Sequence, residues 1–295
     1  RDVFSLGGTF GGSFPTAPKV GVYDANVGGQ GQRIEFTALI DQERTPKFGY
    51  SALYRKSSIF GSLTNLELRY TQLDDGLSFG DEKEFALLMR VDRPLVSPYT
   101  RIAGGGEISS NWSQNVRNKP DSTYLTYQYR VVDGWLGYNI GIKKDISNRN
   151  RKFLAVRSFD GYYSEQPEQE AYNELRKYNN IYGYLSEFTF YRQNFYKTRY
   201  VFGFGRTEDI PYGFTLGFTG GYVKQLRIDR PYAAVKLNYG TARKKGDFVR
   251  LQAQVGGYLR NDKMEDVILQ GGVAYFTRLF QLNRFKSRNL ISANY

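Results

Sequence analysis

The residues whose types could do covalent or metal chemistry are two adjacent carboxylates. Glu208 and Asp209 sit beside Arg206 in the run Gly205-Arg206-Thr207-Glu208-Asp209-Ile210-Pro211-Tyr212-Gly213. A carboxylate pair attracts a divalent cation or divides acid and base roles between its members. Consecutive residues of an extended chain point to opposite faces, so these two do not converge easily on one ligand, and a polar loop is the plainer reading. The rest of the inventory is bare. The 295 residues contain no Cys and no His. That removes disulfides, thiolate nucleophiles, zinc-knuckle and iron–sulfur ligation, the Ser-His-Asp triad and imidazole metal sites. The expectation is a protein that is not an enzyme and holds no cofactor or metal.

Charge is the other chemical resource. Lys and Arg number 41 against 29 Asp and Glu, a formal +12. The excess is scattered in small groups: Arg55 and Lys56, Lys143 and Lys144, Arg149 with Arg151 and Lys152, Arg243 to Lys245, Arg284 and Lys286. Basic patches with interleaved aromatics bind nucleic acid in some proteins. Groups at strand ends instead let Lys and Arg snorkel toward anionic headgroups, including lipopolysaccharide phosphates. The placement favours lipid and argues against nucleic acid.

The elements that must position these residues are strands. Ile34, Phe36, Ala38 and Ile40 alternate with Arg33, Glu35, Thr37 and Asp41, a period of two. The same alternation runs through Phe48 to Tyr54, Leu66 to Tyr70, Leu125 to Val131, Phe214 to Tyr222, Val235 to Tyr239 and Val249 to Val255. About 16 such segments follow from period-two counting. The best helical stretch, 165–177, carries too few apolar residues for a core helix and reads as a loop with a short helical turn.

Mean hydropathy is −0.54, and the longest apolar run is Phe85-Ala86-Leu87-Leu88-Met89, far short of the roughly 20 residues of a membrane helix. The first residues lack the apolar stretch of a signal peptide, which fits a cytosolic chain or a mature or trimmed segment. An all-β chain of this kind is a soluble sandwich or propeller, or a transmembrane antiparallel β-barrel. Three features favour the barrel: strands of about 9 to 12 residues, aromatics near strand ends (Phe195, Tyr196, Tyr200, Phe202, Phe204), and connections alternating in length. The short connections are 56–64, 92–99 and 194–197; the long ones are 73–83, 112–122 and 160–180.

Two segments stand out. Phe4, Leu6, Gly7, Gly8, Phe10, Gly11 and Gly12 form a strand pattern unusually rich in glycine, which weakens pairing. It reads either as a first strand that unzips as a gate or as a bulged strand at a barrel seam. Next, Asp24-Ala25-Asn26-Val27-Gly28-Gly29-Gln30-Gly31 places positive-φ residues between two alternating strands, a hairpin.

The unit built on Asp24, Asn26, Gly28, Gly29 and Gly31 resembles the second-strand, turn and third-strand unit of the BamA/TamA-type superfamily of outer-membrane assembly and translocation barrels. The segment from Phe48 to Tyr70 and the run Arg130-Val131-Val132-Asp133-Gly134-Trp135-Leu136 extend the resemblance over about the first 140 residues. The resemblance implies one barrel domain over 1–295, without the family's periplasmic POTRA modules, as the central part of a longer protein or a divergent relative. It further implies a bacterial outer-membrane location and insertion or translocation of proteins through a lateral seam. Partners would be outer-membrane lipid including lipopolysaccharide, unfolded or secreted protein clients, and periplasmic or lipoprotein accessory subunits.

The family's Arg-Gly-Phe lid motif has a counterpart in Arg157-Ser158-Phe159-Asp160-Gly161, with Ser in place of Gly. About seven strands follow it here against five in the family, so the plainer reading of Arg157 is a lumen-facing residue near a long loop. The segment 288–295 carries only a weak terminal strand signal. The alternative function is a passive pore or a scaffold for surface proteins, its lumen lined by Arg69, Arg130, Lys236 and Arg250 and preferring anions if open.

Overall fold

Alternation builds strands throughout. The computed structural model describes residues 6–13, 16–73, 82–95, 100–141, 149–169, 176–201, 205–243 and 246–295. Its strands are β1 (Leu6–Ser13), β2 (Ala17–Val27), β3 (Gln32–Ile40), β4 (Phe48–Lys56), β5 (Asn65–Thr71), β6 (Glu84–Arg93), β7 (Ile102–Ser113), β8 (Gln128–Ile140) and β9 (Asn150–Glu165). They continue with β10 (Ile181–Arg199), β11 (Thr207–Gln225), β12 (Ile228–Ala242), β13 (Phe248–Arg260), β14 (Lys263–Phe276), β15 (Phe280–Leu282), β16 (Phe285–Ser287) and β17 (Leu290–Asn294). Fifteen form one sheet in the order β1 through β14 and then β17, while β15 and β16 make a separate two-stranded ribbon. Every pairing is antiparallel, and among the described residues β1 pairs with β2 alone and β17 with β14 alone. No helix of the described residues is long and apolar enough to cross a membrane.

Register sorts the side chains into two faces. On one, Val22 stands opposite Phe36 and Phe36 opposite Ala52; Met89 faces Ile108 and Ile108 faces Val132; Phe188, Phe218, Val235, Val255 and Leu269 follow in one row. These apolar side chains are exposed across the sheet. Aromatic residues lie toward both ends of this band, with Tyr50 packed on Tyr70 and Phe85 on Trp112 at one end and Phe190 on Phe214 at the other.

The opposite face is polar, and the sheet curls around it. One cavity of about 400 Å³ is lined together by Val131 and Phe159 of β8 and β9 and by Tyr258 and Ile268 of β13 and β14. In a flat sheet β8 and β14 would stand about 29 Å apart at six strand spacings.

Three sequence expectations change here. Strand length is not held to 9 to 12 residues: β10 and β11 each run 19. The expected turn at 194–197 lies inside β10, where Asn194, Phe195, Tyr196 and Lys197 pair with Tyr212, Pro211, Ile210 and Asp209. A lone Asn without a following Gly supplies no two-residue turn, and the chain reverses after Tyr200, whose φ is 62°. The length asymmetry also inverts. Up to β10 the long connections 72–83, 114–127 and 166–180 share one end of the sheet; beyond it, that same end carries two-residue turns at Leu226-Arg227 and Asn261-Asp262. All four turn residues have positive φ, as the favoured hairpin turns require.

The long hairpin of β10 and β11 bends where Gly213 takes φ 132°. A Cβ at that position would lie 1.9 Å from the Arg192 carbonyl oxygen, so only glycine fits. Beyond the bend, Ile210 packs with Phe248 and Phe276 in a buried cluster that Tyr196 and Tyr212 flank. Tyr196 therefore belongs to a small core and not to an aromatic girdle; Phe202 and Phe204, assigned to the same girdle, lie outside the described residues. The segment 288–295 forms the short edge strand β17, extended by the reciprocal backbone hydrogen bonds of Tyr295 and Gly271 at 2.8 and 3.0 Å.

Candidate functional site: a charged row, a loop cover and two strand edges

Six strands each place one charged residue in a single row on the polar face. Arg33 stands opposite Arg55, Arg55 opposite Glu67, Glu67 opposite Arg90, Arg90 opposite Glu107, and Glu107 opposite Asp133. Period two puts Glu35 beside Arg33 and Arg69 beside Glu67, giving ion pairs of 2.6 and 2.9 Å. Arg90 donates through Nε to Glu107 at 2.7 Å. Arg157 reaches Asp133 with Nε 3.0 Å from each carboxylate oxygen, and a further Nη2 contact closes a fork. Arg69 and Lys236 lie on this polar face as the sequence implies, Lys236 with its Nζ 2.5 Å from Glu187. Arg250 shares it and donates to the Pro211 carbonyl at 3.4 Å.

Arg130 does not. In register it lies between Ser110 and Tyr162 on the exposed face, its guanidinium 4.9 Å from the centre of the Tyr162 ring. The apolar set 125, 127, 129 and 131 that placed it in a lumen is itself on the polar face. There Leu125, Tyr127, Tyr129, Tyr163 and Tyr178 form the larger of two buried clusters among the described residues.

That cluster exists because the long loops fold back over the polar face of the earlier strands. Thr45 donates to the Val116 carbonyl at 2.7 Å, Arg117 pairs with Asp41 and Glu43, and Lys119 pairs with Glu82 at 2.7 Å. At the centre lies Glu84, only 1% exposed. Its two carboxylate oxygens accept from the hydroxyls of Tyr127 at 2.8 Å and Tyr129 at 3.1 Å. Burial, followed by the charge of Glu84, raises the Tyr127 pKa far above its ordinary value of 10.

A raised pKa favours the neutral hydroxyl in the closed fold, so the contribution of Tyr127 is complete below about pH 10 and is lost as pH rises further, toward its folded value. Limited proteolysis after Arg117 will accelerate above that pH, and Tyr127→Phe will flatten the dependence. Glu84→Ala, which strands two buried hydroxyls, will open the same site at neutral pH by a cost of about 1–3 kcal/mol. Unchanged cleavage in both variants would show that the loops are held elsewhere.

The glycine-rich strand occupies one edge of the sheet. Leu6 and Phe10 are 83% and 73% exposed, and Phe4 lies outside the described residues. Two of the glycines have local causes. A Cβ at Gly7 would meet the Tyr23 ring at 2.2 Å, and Gly12 has φ 90° with the Ala17 carbonyl 2.2 Å from where a Cβ would stand. Gly8 and Gly11 have no such contact: the nearest atom to a Cβ at Gly8 is 3.6 Å away, and nothing lies within 4 Å of one at Gly11. They reduce the side-chain packing of β1 on β2 without an evident steric need.

The turn is built as the sequence indicates. Asp24 Oδ1 accepts from the Asn26 amide at 2.8 Å, and Asn26 Oδ1 accepts from the Gly31 amide at 2.9 Å. Gly28, Gly29 and Gly31 take φ of 62°, 70° and 66°.

Arg157, Phe159, Asp160 and Gly161 lie within β9 and not at a loop. Arg157 and Phe159 share the polar face, where the guanidinium lies 5.2 Å from the Phe159 ring centre, while Asp160 stands opposite Val132 on the other face. Glu208 and Asp209 are consecutive in β11 and diverge, Glu208 accepting from the Val201 amide at 2.9 Å and Asp209 standing opposite Lys197. Among the described residues no three His, Cys, Asp or Glu side chains converge as a metal site.

Of the basic groups, Lys143, Lys144, Lys244 and Lys245 lie outside the described residues. Arg55, expected at a strand end beside lipid, faces the polar cavity instead, because register and not sequence distance sets its face. Sequence reading missed the charged row; its signal was a charged residue at the polar phase of each successive strand. Comparison with known protein families, curated proteins and solved structures finds no match.

Proposed function

We propose that the chain is a β-barrel of the bacterial outer membrane that inserts or translocates proteins through a lateral seam between β1 and β17. The observation that carries this reading is the pairing of an exposed apolar face with two strand edges. A soluble monomer seldom exposes contiguous apolar patches beyond a few hundred Å², whereas lipid covers such a face at no cost. An edge strand presents unpaired N–H and C=O groups that template an incoming strand. The glycine content of β1 fits an edge that separates readily. The partners on this reading are lipid including lipopolysaccharide, unfolded or secreted clients, and periplasmic or lipoprotein accessory subunits.

The charged row favours a second reading, a pore that conducts solutes past a mixed row of Arg and carboxylate side chains. Reconstitution separates the two. In liposomes carrying the full chain, a urea-unfolded outer-membrane protein is expected to fold several-fold faster than in empty liposomes of the same lipid, judged by gel mobility without heating. Equal folding rates, together with a steady anion-selective current across planar bilayers, would replace the first reading with the second.

A further inference from the structure

Among the described residues, each arginine in or beside the charged row has a carboxylate partner except one. Arg33 is held by Glu35, Arg90 by Glu107 and Arg157 by Asp133, while flanking Arg69 is held by Glu67. Arg55 is flanked at its own i±2 positions by Leu53 and Ser57, so its strand supplies no acid. Its neighbour on β3 is Arg33, a like charge directly opposite, which is destabilising unless compensated. Its neighbour on β5 is Glu67, whose carboxylate is already engaged by Arg69 at 2.9 Å.

Arg33, Glu35, Arg55, Glu67 and Arg69 line one cavity of about 390 Å³, which among the described residues holds three guanidinium groups against two carboxylates. That volume lies within the range of about 300–1,000 Å³ typical of small-molecule sites. Thr71 and Ser51 add hydroxyls to the wall, and Leu53 and Leu73 add apolar surface. A guanidinium presents a planar fork that matches a carboxylate or phosphate with two parallel hydrogen bonds.

We propose that this cavity binds a small oxyanion, a carboxylate or a phosphate, with Arg55 as the principal ligand and Arg33 and Arg69 as its flanking charges. The anion supplies the negative charge that the Arg33–Arg55 pair lacks. The site stands on the polar face whether or not the seam opens, so its test is independent of the reading above.

The test is calorimetric titration of the full chain with inorganic phosphate and, separately, with citrate. It is run in a maltoside detergent at low ionic strength, so that no headgroup phosphate competes. Saturable binding of at least one of the two anions is expected. Arg55→Gln should weaken it about tenfold or more, the range of a lost charged hydrogen bond. Glu67→Gln, which removes the competing carboxylate and frees Arg69, should tighten it. Arg243→Gln, whose guanidinium pairs with Asp247 in a distant connection, should leave it unchanged.

The arm that saturates identifies the oxyanion. No saturable heat with either anion, or wild-type affinity in folded Arg55→Gln, overturns the proposal. Should Arg55→Gln fail to fold, Glu67→Gln decides: unchanged or weaker affinity than wild type overturns the site.

Discussion

Tethering β1 to β17 will abolish client insertion. The chain has no cysteine of its own, so a pair introduced at Thr9 and Ser292 is the sole target for a bifunctional thiol reagent with a reducible spacer. Thr9 sits mid-strand on β1 opposite Gly21, and Ser292 mid-strand on β17 opposite Ala274, so both side chains lie on the polar face. Neither position faces a second strand on its other side in the pairing order. If an incoming strand must add to these edges, a covalent bridge between them removes the template for backbone pairing and leaves the rest of the sheet as it was.

The expected result is loss of at least about nine-tenths of the folding acceleration in liposomes, an effect of about 1.4 kcal/mol or more on the assisted step, with recovery when the spacer is reduced. The single-cysteine variants treated with the same reagent should retain full activity. Undiminished activity in the tethered protein would sink the seam mechanism, because the edges would then have no part in it.

How far the sequence carries this picture depends on what each feature is made of. The faces of β3, β4, β5 and β13 follow from their alternation, since period two maps directly onto the two sides of a pleated strand. The hairpin at Asn26 to Gly31 is legible for the same local reason: the side chains of Asp24 and Asn26 and the positive φ of Gly28, Gly29 and Gly31 act within a few residues. The turn at Asn261-Asp262 has a comparable signal, while Leu226-Arg227 adopts positive φ with none. There the pairing of β11 with β12 imposes the turn on residues that do not favour it.

The charged row belongs to another class of feature. Arg33, Arg55, Glu67, Arg90, Glu107 and Asp133 are separated by between 12 and 26 positions in the chain, and only the register of five strand pairs lines them up. The misplacement of Arg130 has a related origin. Tyr127, Tyr129 and Val131 are apolar because they pack in one cluster with Leu125 and Tyr178 from the neighbouring connections, and such coverage leaves no period in the sequence. Near that end of β8 the covered face carries the apolar residues and the exposed face carries Gln128 and Arg130, so alternation alone cannot tell the lipid-like face from the covered one.

The same ambiguity makes a charge on the exposed face the sharpest test of whether lipid covers it. Leu237 lies in the middle of β12, opposite Leu216 on one side and Ala253 on the other, and is 43% exposed. In water, an arginine there would extend from an exposed position and change stability by no more than about 0.5 kcal/mol. At the midplane of a bilayer the same guanidinium must leave water or thin the membrane around it, which costs about 2–4 kcal/mol in transmembrane barrels.

Leu237→Arg is therefore expected to unfold in liposomes at a clearly lower denaturant concentration than wild type. Lys236→Leu, one residue away on the polar face and paired with Glu187, serves as the opposite case. It removes an ion pair from the polar face and puts no charge into lipid, so its loss should not grow with acyl-chain length. The deficit of Leu237→Arg should increase from thin to thick bilayers, because a thicker hydrocarbon layer leaves the guanidinium farther from either interface. A deficit within about 0.5 kcal/mol in every lipid would mean that this face meets water, and the apolar band would then need a protein partner in place of a membrane.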